Sequence, residues 1–313
     1  YNTNITEKVI INSLEFNSIS KYFDNGLVNE KKFQVKNVNS EAKNSKKFKN
    51  KDTSSLVPTF QTNYTFPLQK QSEKFSKIIT PKFSLKVSTP HTKDVSKDDV
   101  KINYDNIYDI NRLGSDEINE GGISATYGYE YTKIDKSNLK QKIKFGFANN
   151  LRLSQNKDLP ANTNLGDKVS DFVGLIEYNP NQNFKLDYNF SLKNNLTDQN
   201  YEIFGFEYYL KNLSTKFEYL NENNSNLKTS YLQNETRYTF NDNNSLIFQT
   251  RENKEKNFTE YYNLIYQYQN DCLTAGVEYN KEYYSDQDLK PSENLFFKIS
   301  IIPFGGFNTP NLK

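Results

Sequence analysis

The chain predicts an all-β fold, a transmembrane antiparallel β-barrel. Three observations carry that expectation. Apolar and polar residues alternate with period two over long stretches, the apolar positions are largely Tyr and Phe, and short connections alternate with long ones.

The alternation is clearest in the middle of the chain. Phe184, Leu186, Tyr188, Phe190 and Leu192 fall on one face of an extended segment, with Lys185, Asp187, Asn189, Ser191 and Lys193 on the other. Ile143, Phe145, Phe147, Leu151 and Leu153 repeat the pattern, as do Leu273, Ala275, Val277, Tyr279 and Tyr283. Composition narrows the class. Only 35% of the residues are hydrophobic, too few for the core of a 313-residue soluble domain. Aromatics reach 15%, too many for a disordered chain. Mean hydropathy is -0.86, and no run approaches the roughly 18 apolar residues of a membrane-crossing helix. A net charge of +2 gives no electrostatic footprint for nucleic acid. Abundant Asn and Lys read as coding bias rather than chemistry. The chain begins at Tyr1 and holds no Met, which suggests a fragment or processed form.

The period places about fifteen strands, at 9–22, 28–38, 57–69, 75–88, 119–132, 138–154, 170–179, 184–193, 201–211, 213–221, 227–240, 245–252, 258–268, 272–284 and 294–303. Many have the length of ten or so residues that crosses a bilayer at a tilt. The first strand turns at Phe23–Leu27 and the second is followed by a long connection, 39–56, in the Lys- and Ser-rich run 36–56, expected as a solvated loop. The third and fourth are joined by a short link at 70–74, and a loop of thirty residues, 89–118, follows. Onward, short links at 133–137, 180–183, 212, 241–244 and 269–271 alternate with longer ones at 155–169, 194–200, 222–226, 253–257 and 285–293. Outer-membrane barrels keep short turns on the periplasmic side and long loops outside. That parity puts the C-terminus in the periplasm and starts the first strand from the extracellular side. An N-terminal portion of the barrel would then precede Tyr1.

Four segments resemble the LptD family, which assembles lipopolysaccharide (LPS) in the outer membrane. They are Lys77–Pro90, Tyr104–Tyr131 with its Asn111-Arg112 and Glu120-Gly121-Gly122, Val169–Asn195 with Ser170-Asp171, and Tyr268–Asp286 with Asn270-Asp271-Cys272. The resemblance covers most of 75–303 and implies the last fifteen or so strands of a barrel of about 26. It implies LPS as the translocated partner, an LptE-like lipoprotein plug, and an LptA-like periplasmic bridge reached through a preceding domain. It also implies contact with outer-membrane lipid along a lateral opening. No cofactor and no enzymatic activity are expected, and no nucleotide-binding loop is present to supply energy.

Site expectations follow. Cys272, the only cysteine, falls on the periplasmic side and would pair with a cysteine outside this chain; the alternative is an inert thiol in a turn. The loop 89–122 is either a solvated surface loop or folds into the lumen, where Arg112, Asp116 and Glu120 would form a buried ion-pair network. Gly121 and Gly122 would then allow a tight re-entry into the strand. Phe296, Phe297, Ile299, Ile301 and Pro303 mark the last strand, which either simply ends at the proline or forms a weakened lateral seam. His91, the lone histidine, is expected in a surface loop with no metal or catalytic role. The rival reading is an outer-membrane porin or receptor barrel passing small solutes; a barrel hydrolase is a weaker third.

Overall fold

The computed structural model describes residues 4–45, 52–89, 94–114, 120–223, 228–283 and 290–301, and the backbone of 305–308. The chain separates into two compact units. Unit 1 comprises Tyr1–Ile176, Asn189–Tyr201 and Asn224–Asn226; unit 2 comprises Glu177–Tyr188, Glu202–Asn223 and Leu227–Lys313.

Unit 1 holds β1 (Thr6–Asn17), β2 (Lys21–Tyr22), β3 (Val28–Lys43), β4 (Thr53–Thr65), β5 (Leu68–Gln71), β6 (Phe75–Ser88), β7 (Gly122–Asp135) and β8 (Gln141–Arg152). Next come β9 (Phe172–Asn181), β10 (Phe184–Leu192) and β11 (Gln199–Leu210), which contribute residues to both units. Unit 2 continues with β12 (Leu213–Asn223), β13 (Lys228–Asn241), β14 (Asn244–Asn253), β15 (Phe258–Gln269), β16 (Leu273–Glu282), β17 (Ser292–Ile301) and β18 (Gly305–Asn308).

Every pair with a described register is antiparallel, and partners are near neighbours in the chain. All fifteen expected strands are present. The first is split into β1 and β2, and the third into β4 and β5, where Pro67 has no N–H to give the ladder. β17 is not the last strand, contrary to expectation. β18 pairs with it from Lys298↔Asn308 to Ile301↔Gly305. A four-residue strand is too short to show a period in sequence.

The loop alternation holds for most of the fold. Connections 23–27, 72–74, 136–140, 182–183, 211–212, 242–243 and 270–272 fall at alternate positions, but 224–227 and 254–257 on the other side have only four residues, fewer than the five of 23–27 and 136–140. Asparagine builds many of these turns. Asn25, Asn181, Asn241 and Asn270 each accept, through the side-chain oxygen, the backbone N–H two residues on. The Asn content therefore has a structural use beyond coding bias: the Asx turn closes a tight link without a long loop.

The strands are inside-out relative to a soluble protein. In unit 1 the register aligns Phe16, Phe33, Phe60, Val87 and Ile123 in one continuous row across five strands, all exposed. Towards the short turns Tyr129 packs edge-on against Phe145 and Phe147, at centroid separations of 5.6 and 4.5 Å. The opposite face is polar and buried: Gln61, Lys86, Ser124 and Arg152 occupy successive register positions on β4, β6, β7 and β8. Unit 2 repeats the arrangement. Tyr238, Leu246, Tyr266, Val277 and Phe297 line up across β13 to β17 on the apolar face. On its polar face Gln249 donates to Glu235 (2.8 Å), Asn263 to Gln249 (3.2 Å) and Asn280 to Asn263 (2.5 Å). Apolar-out and polar-in strands are what a membrane barrel requires.

Candidate functional site

The hydrophobic core of unit 1 is not made by its strands alone. Val95, Ile102, Tyr104, Ile107 and Leu113 come from the connection 89–121, and Leu159 and Leu165 from the connection 153–171. They pack on Ala148, Val173 and Leu175, small or apolar residues where the inner face is otherwise polar. The two connections are stitched to each other. Val95 N–H donates to Asp158 O (2.8 Å), Ala161 N–H to Ser96 O (3.0 Å), and Asn162 Nδ2 to Asp99 Oδ1 (2.7 Å) and Val100 O (2.9 Å). The long connections therefore fold onto the inner wall as one two-loop insert.

Two wall glycines make room for it. A Cβ on Gly146 of β8 would stand 2.5 Å from the Tyr104 ring, and one on Gly128 of β7 2.5 Å from the Tyr108 hydroxyl. The rings drop into these notches. Burial and the nearby Glu130 carboxylate push both phenols well above the usual tyrosine range.

The insert is pinned by charge. Arg112 is 2% exposed and grips Glu120 with two hydrogen bonds, Nε to Oε2 and Nη2 to Oε1, each 2.8 Å. Its remaining donors reach the wall: Ser124 Oγ (2.9 Å), Thr126 Oγ1 (3.1 Å) and Asn150 Oδ1 (2.8 Å). Lys86 Nζ lies 2.5 Å from Glu120 Oε2, and Arg152 Nη1 2.5 Å from Oε1. Register explains the convergence, because Lys86 pairs with Ser124 and Ser124 with Arg152 on adjacent strands. Burial opposes ionisation of Glu120, yet Arg112, Lys86 and Arg152 together outweigh it and hold the carboxyl well below its ordinary range. Arg152 also donates to Gly121 O, and Gly122 re-enters the strand at a φ of 99°. A Cβ there would meet Arg152 Nη2 at 2.9 Å, so the position needs glycine for both conformation and space.

Of the network expected from sequence, the fold brings Arg112, Glu120, Gly121 and Gly122 together. Asp116 lies outside the described residues, as do Pro303 and His91. Cys272 is an exposed free thiol in the turn before β16. Phe297, Ile299 and Ile301 share the outer face of β17, at 42%, 47% and 37% exposure. Phe296 points to the other face, where Lys298 lies 5.9 Å from its ring centroid.

Sequence reasoning missed the wall cations Lys86 and Arg152, and it missed a second anchor. Asp171, 2% exposed, accepts from Asn164 Nδ2 (2.5 Å), Asn200 Nδ2 (2.8 Å) and Ser191 Oγ (3.2 Å), tying the end of the second connection to β10 and β11. Burial raises the Asp171 carboxyl to about 6 against those three donors. One signal was available. Arg stands at only four positions, 112, 152, 237 and 251, in a chain that otherwise uses Lys. Choosing a planar, multiply donating cation in such a background marks bidentate contacts.

The model of the family LptD, LPS transport system D, matches residues 23–243. No curated protein matches the chain. Among solved structures, the siderophore receptor PirA from Acinetobacter baumannii is similar at a TM-score of 0.47 and 8% identity, over 95% of this chain and 56% of that one. The ferric-catecholate import receptor Fiu from E. coli K12 is similar at a TM-score of 0.42 and 8% identity, over 96% and 56%. The chain thus spans about half the length of either receptor. The family match covers well over half of the residues, including both connections of the insert, and the chain belongs to the LptD family of LPS transport, a family of outer-membrane β-barrels.

Proposed function

We propose that this chain forms part of a translocon that delivers LPS to the outer leaflet. The saccharide passes a polar lumen and the acyl chains leave through a lateral seam. The observation that carries the reading is the insert on the polar face of unit 1: a buried ion cluster holds the first long connection against the inner wall and the second is hydrogen-bonded to the first, where an open diffusion channel would keep the space free. The insert closes the lumen to small solutes, and an LptE-like lipoprotein completes the seal. LPS arrives from an LptA-like bridge through a periplasmic domain beyond this chain. The outer row from Phe297 to Ile301 meets outer-membrane lipid close to the seam. The short turns lie in the periplasm, as does Cys272, whose exposed thiol is free to form a disulfide with a cysteine outside this chain.

Depletion of the protein in its source bacterium, with newly made LPS labelled on intact cells, tests the function. Surface LPS is expected to fall while small-solute uptake persists; unchanged surface LPS overturns the reading. For the cysteine, the full-length protein should shift on a non-reducing gel and lose that shift in Cys272→Ser. Identical mobility of the two would remove the disulfide from the proposal.

A further inference from the structure

Beneath the insert, unit 1 contains a cavity of about 270 Å³ unused by the ion cluster. Its roof is Tyr104, Asp105 and Tyr108 of the first connection, and its wall carries Lys82, Glu130 and Lys144. Lys82 Nζ lies 2.9 Å from Glu130 Oε2, and 5.2 and 5.7 Å from the ring centroids of Tyr104 and Tyr108. Tyr104 OH donates to Glu130 Oε2 (3.3 Å), and Lys144 Nζ stands 4.0 Å from Asp105 Oδ1. Lys82 and Glu130 fall about midway along β6 and β7, so the cavity is neither at the turns nor at the long-loop rim.

Three properties define what the cavity would take. Its volume is near the lower end of small-ligand pockets, about 300 Å³, which suits a single ring. Its two ammoniums each face a carboxylate, Lys82 with Glu130 and Lys144 with the exposed Asp105, and the third carboxylate, Glu30, accepts from Ser20 Oγ, so an anion finds no unshared positive charge there. Carboxylate acceptors, ammonium donors and phenol rings converge on one small space, which matches a ligand with many hydroxyls around an apolar ring face. Hydroxyls can donate to Glu130 and Asp105 and accept from Lys82 and Lys144, while the C–H face packs on the tyrosines.

We propose that this cavity is a subsite for one uncharged sugar ring of the glycan moving through the lumen. The proposal rests on the translocon reading and assigns it a stopping point. Tyr104 and Tyr108 reach the cavity only because Gly146 and Gly128 admit them, so the same insert that closes the lumen also builds the subsite.

The test is calorimetric titration of the detergent-purified full-length protein with a lipid-free core oligosaccharide. Glu130→Gln and Lys144→Gln are each expected to weaken binding about tenfold or more, the factor of about 1.4 kcal/mol. Gln249→Ala, on the inner face of unit 2, should leave it unchanged. Glu130 also holds Tyr104, so if Glu130→Gln does not fold, Lys144→Gln decides. Absence of binding by the unaltered protein overturns the subsite, as does equal binding by Lys144→Gln. Displacement of the oligosaccharide by inorganic phosphate alone also overturns it, since the cavity would then be an anion site. Surface LPS on cells separates this from the wider reading. Normal delivery with no oligosaccharide binding sinks the subsite alone, whereas unchanged surface LPS after depletion sinks the translocon and leaves the titration standing.

Discussion

The inner faces of the two units start from the same residue types and reach different ends. Unit 1 brings Lys86, Arg112 and Arg152 onto one carboxylate, with every side chain of the cluster at 4% exposure or less. Unit 2 spreads Glu235, Gln249, Asn263 and Asn280 into a cross-strand ladder of single hydrogen bonds, and its ion pair Arg251–Glu260 keeps about a third of the arginine side chain in contact with solvent. The strands themselves do not make this difference. Connections do: those at 89–121 and 153–171 are long enough to fold inward, while the four residues at 254–257 are not. A polar inner wall is generic, and what lies against it decides whether its charges are desolvated.

The sharpest way to break the comparison is to remove the shared anion. Glu120→Gln leaves three buried cations without their carboxylate, and breaking a buried ion pair costs about 3–5 kcal/mol. Thermal unfolding in detergent should show that loss, together with proteolytic access to the insert. Glu235→Gln in unit 2 leaves a side-chain carbonyl that can still accept from Gln249 in a part-solvated ladder, and should cost under about 1 kcal/mol. Equal losses would mean that the inner faces are energetically alike.

How much of this was legible beforehand follows from where the physics is local. Period two and turn parity are properties of a few adjacent residues, so the strands from β1 to β17 could be read from their own sequence. Arg112, Glu120, Gly121 and Gly122 could be singled out because they fall in a segment, Tyr104–Tyr131, that resembles the LptD family. Lys86 could not, because it joins the cluster through register across β6, β7 and β8, and any polar inner position of an alternating strand looks like another; Arg152 joins the same way and carried only the rarity of arginine as a signal. The Asp171 anchor was hidden for a related reason: its donors Ser191 and Asn200 arrive from 20 and 29 residues downstream. β18 was missed because four residues carry no period.

The Asp171 anchor gives the second effect, one that depends on pH. Its folded-state value of about 6 stands above the ordinary 3.8, so between those values the native state holds a proton that the unfolded chain has released. Stability attributable to this group therefore rises as pH falls from about 6 to about 4, and is flat outside that window. The distance between the two values sets a ceiling of about 3 kcal/mol on the effect. Hydrogen exchange of amides in 153–171 should slow as pH is lowered through the window, after correction for intrinsic rates, and Asp171→Asn should abolish the dependence. A window equally visible in unit 2 amides would show that the effect is global rather than tied to the insert.

The smallest contrast is steric. Gly146→Ala sets a methyl 2.5 Å from the Tyr104 ring, a large buried group whose alternatives are blocked by the insert above it. Overpacking of this kind costs about 1–3 kcal/mol. Gly276 is the matching inner-face glycine of β16, but there a Cβ would meet only the Tyr266 carbonyl oxygen at 3.2 Å, which a few tenths of an ångström of strand movement relieves. Gly276→Ala should cost less than Gly146→Ala, and the reverse order would mean that the notch in unit 1 can yield. The pair also reports on the insert itself. If Tyr104→Ala is added to Gly146→Ala, the methyl gains its space, and the cost of the glycine change should vanish from the double-mutant cycle. A cost that persists without the ring would place the strain in the strand and not in the docking of the loop.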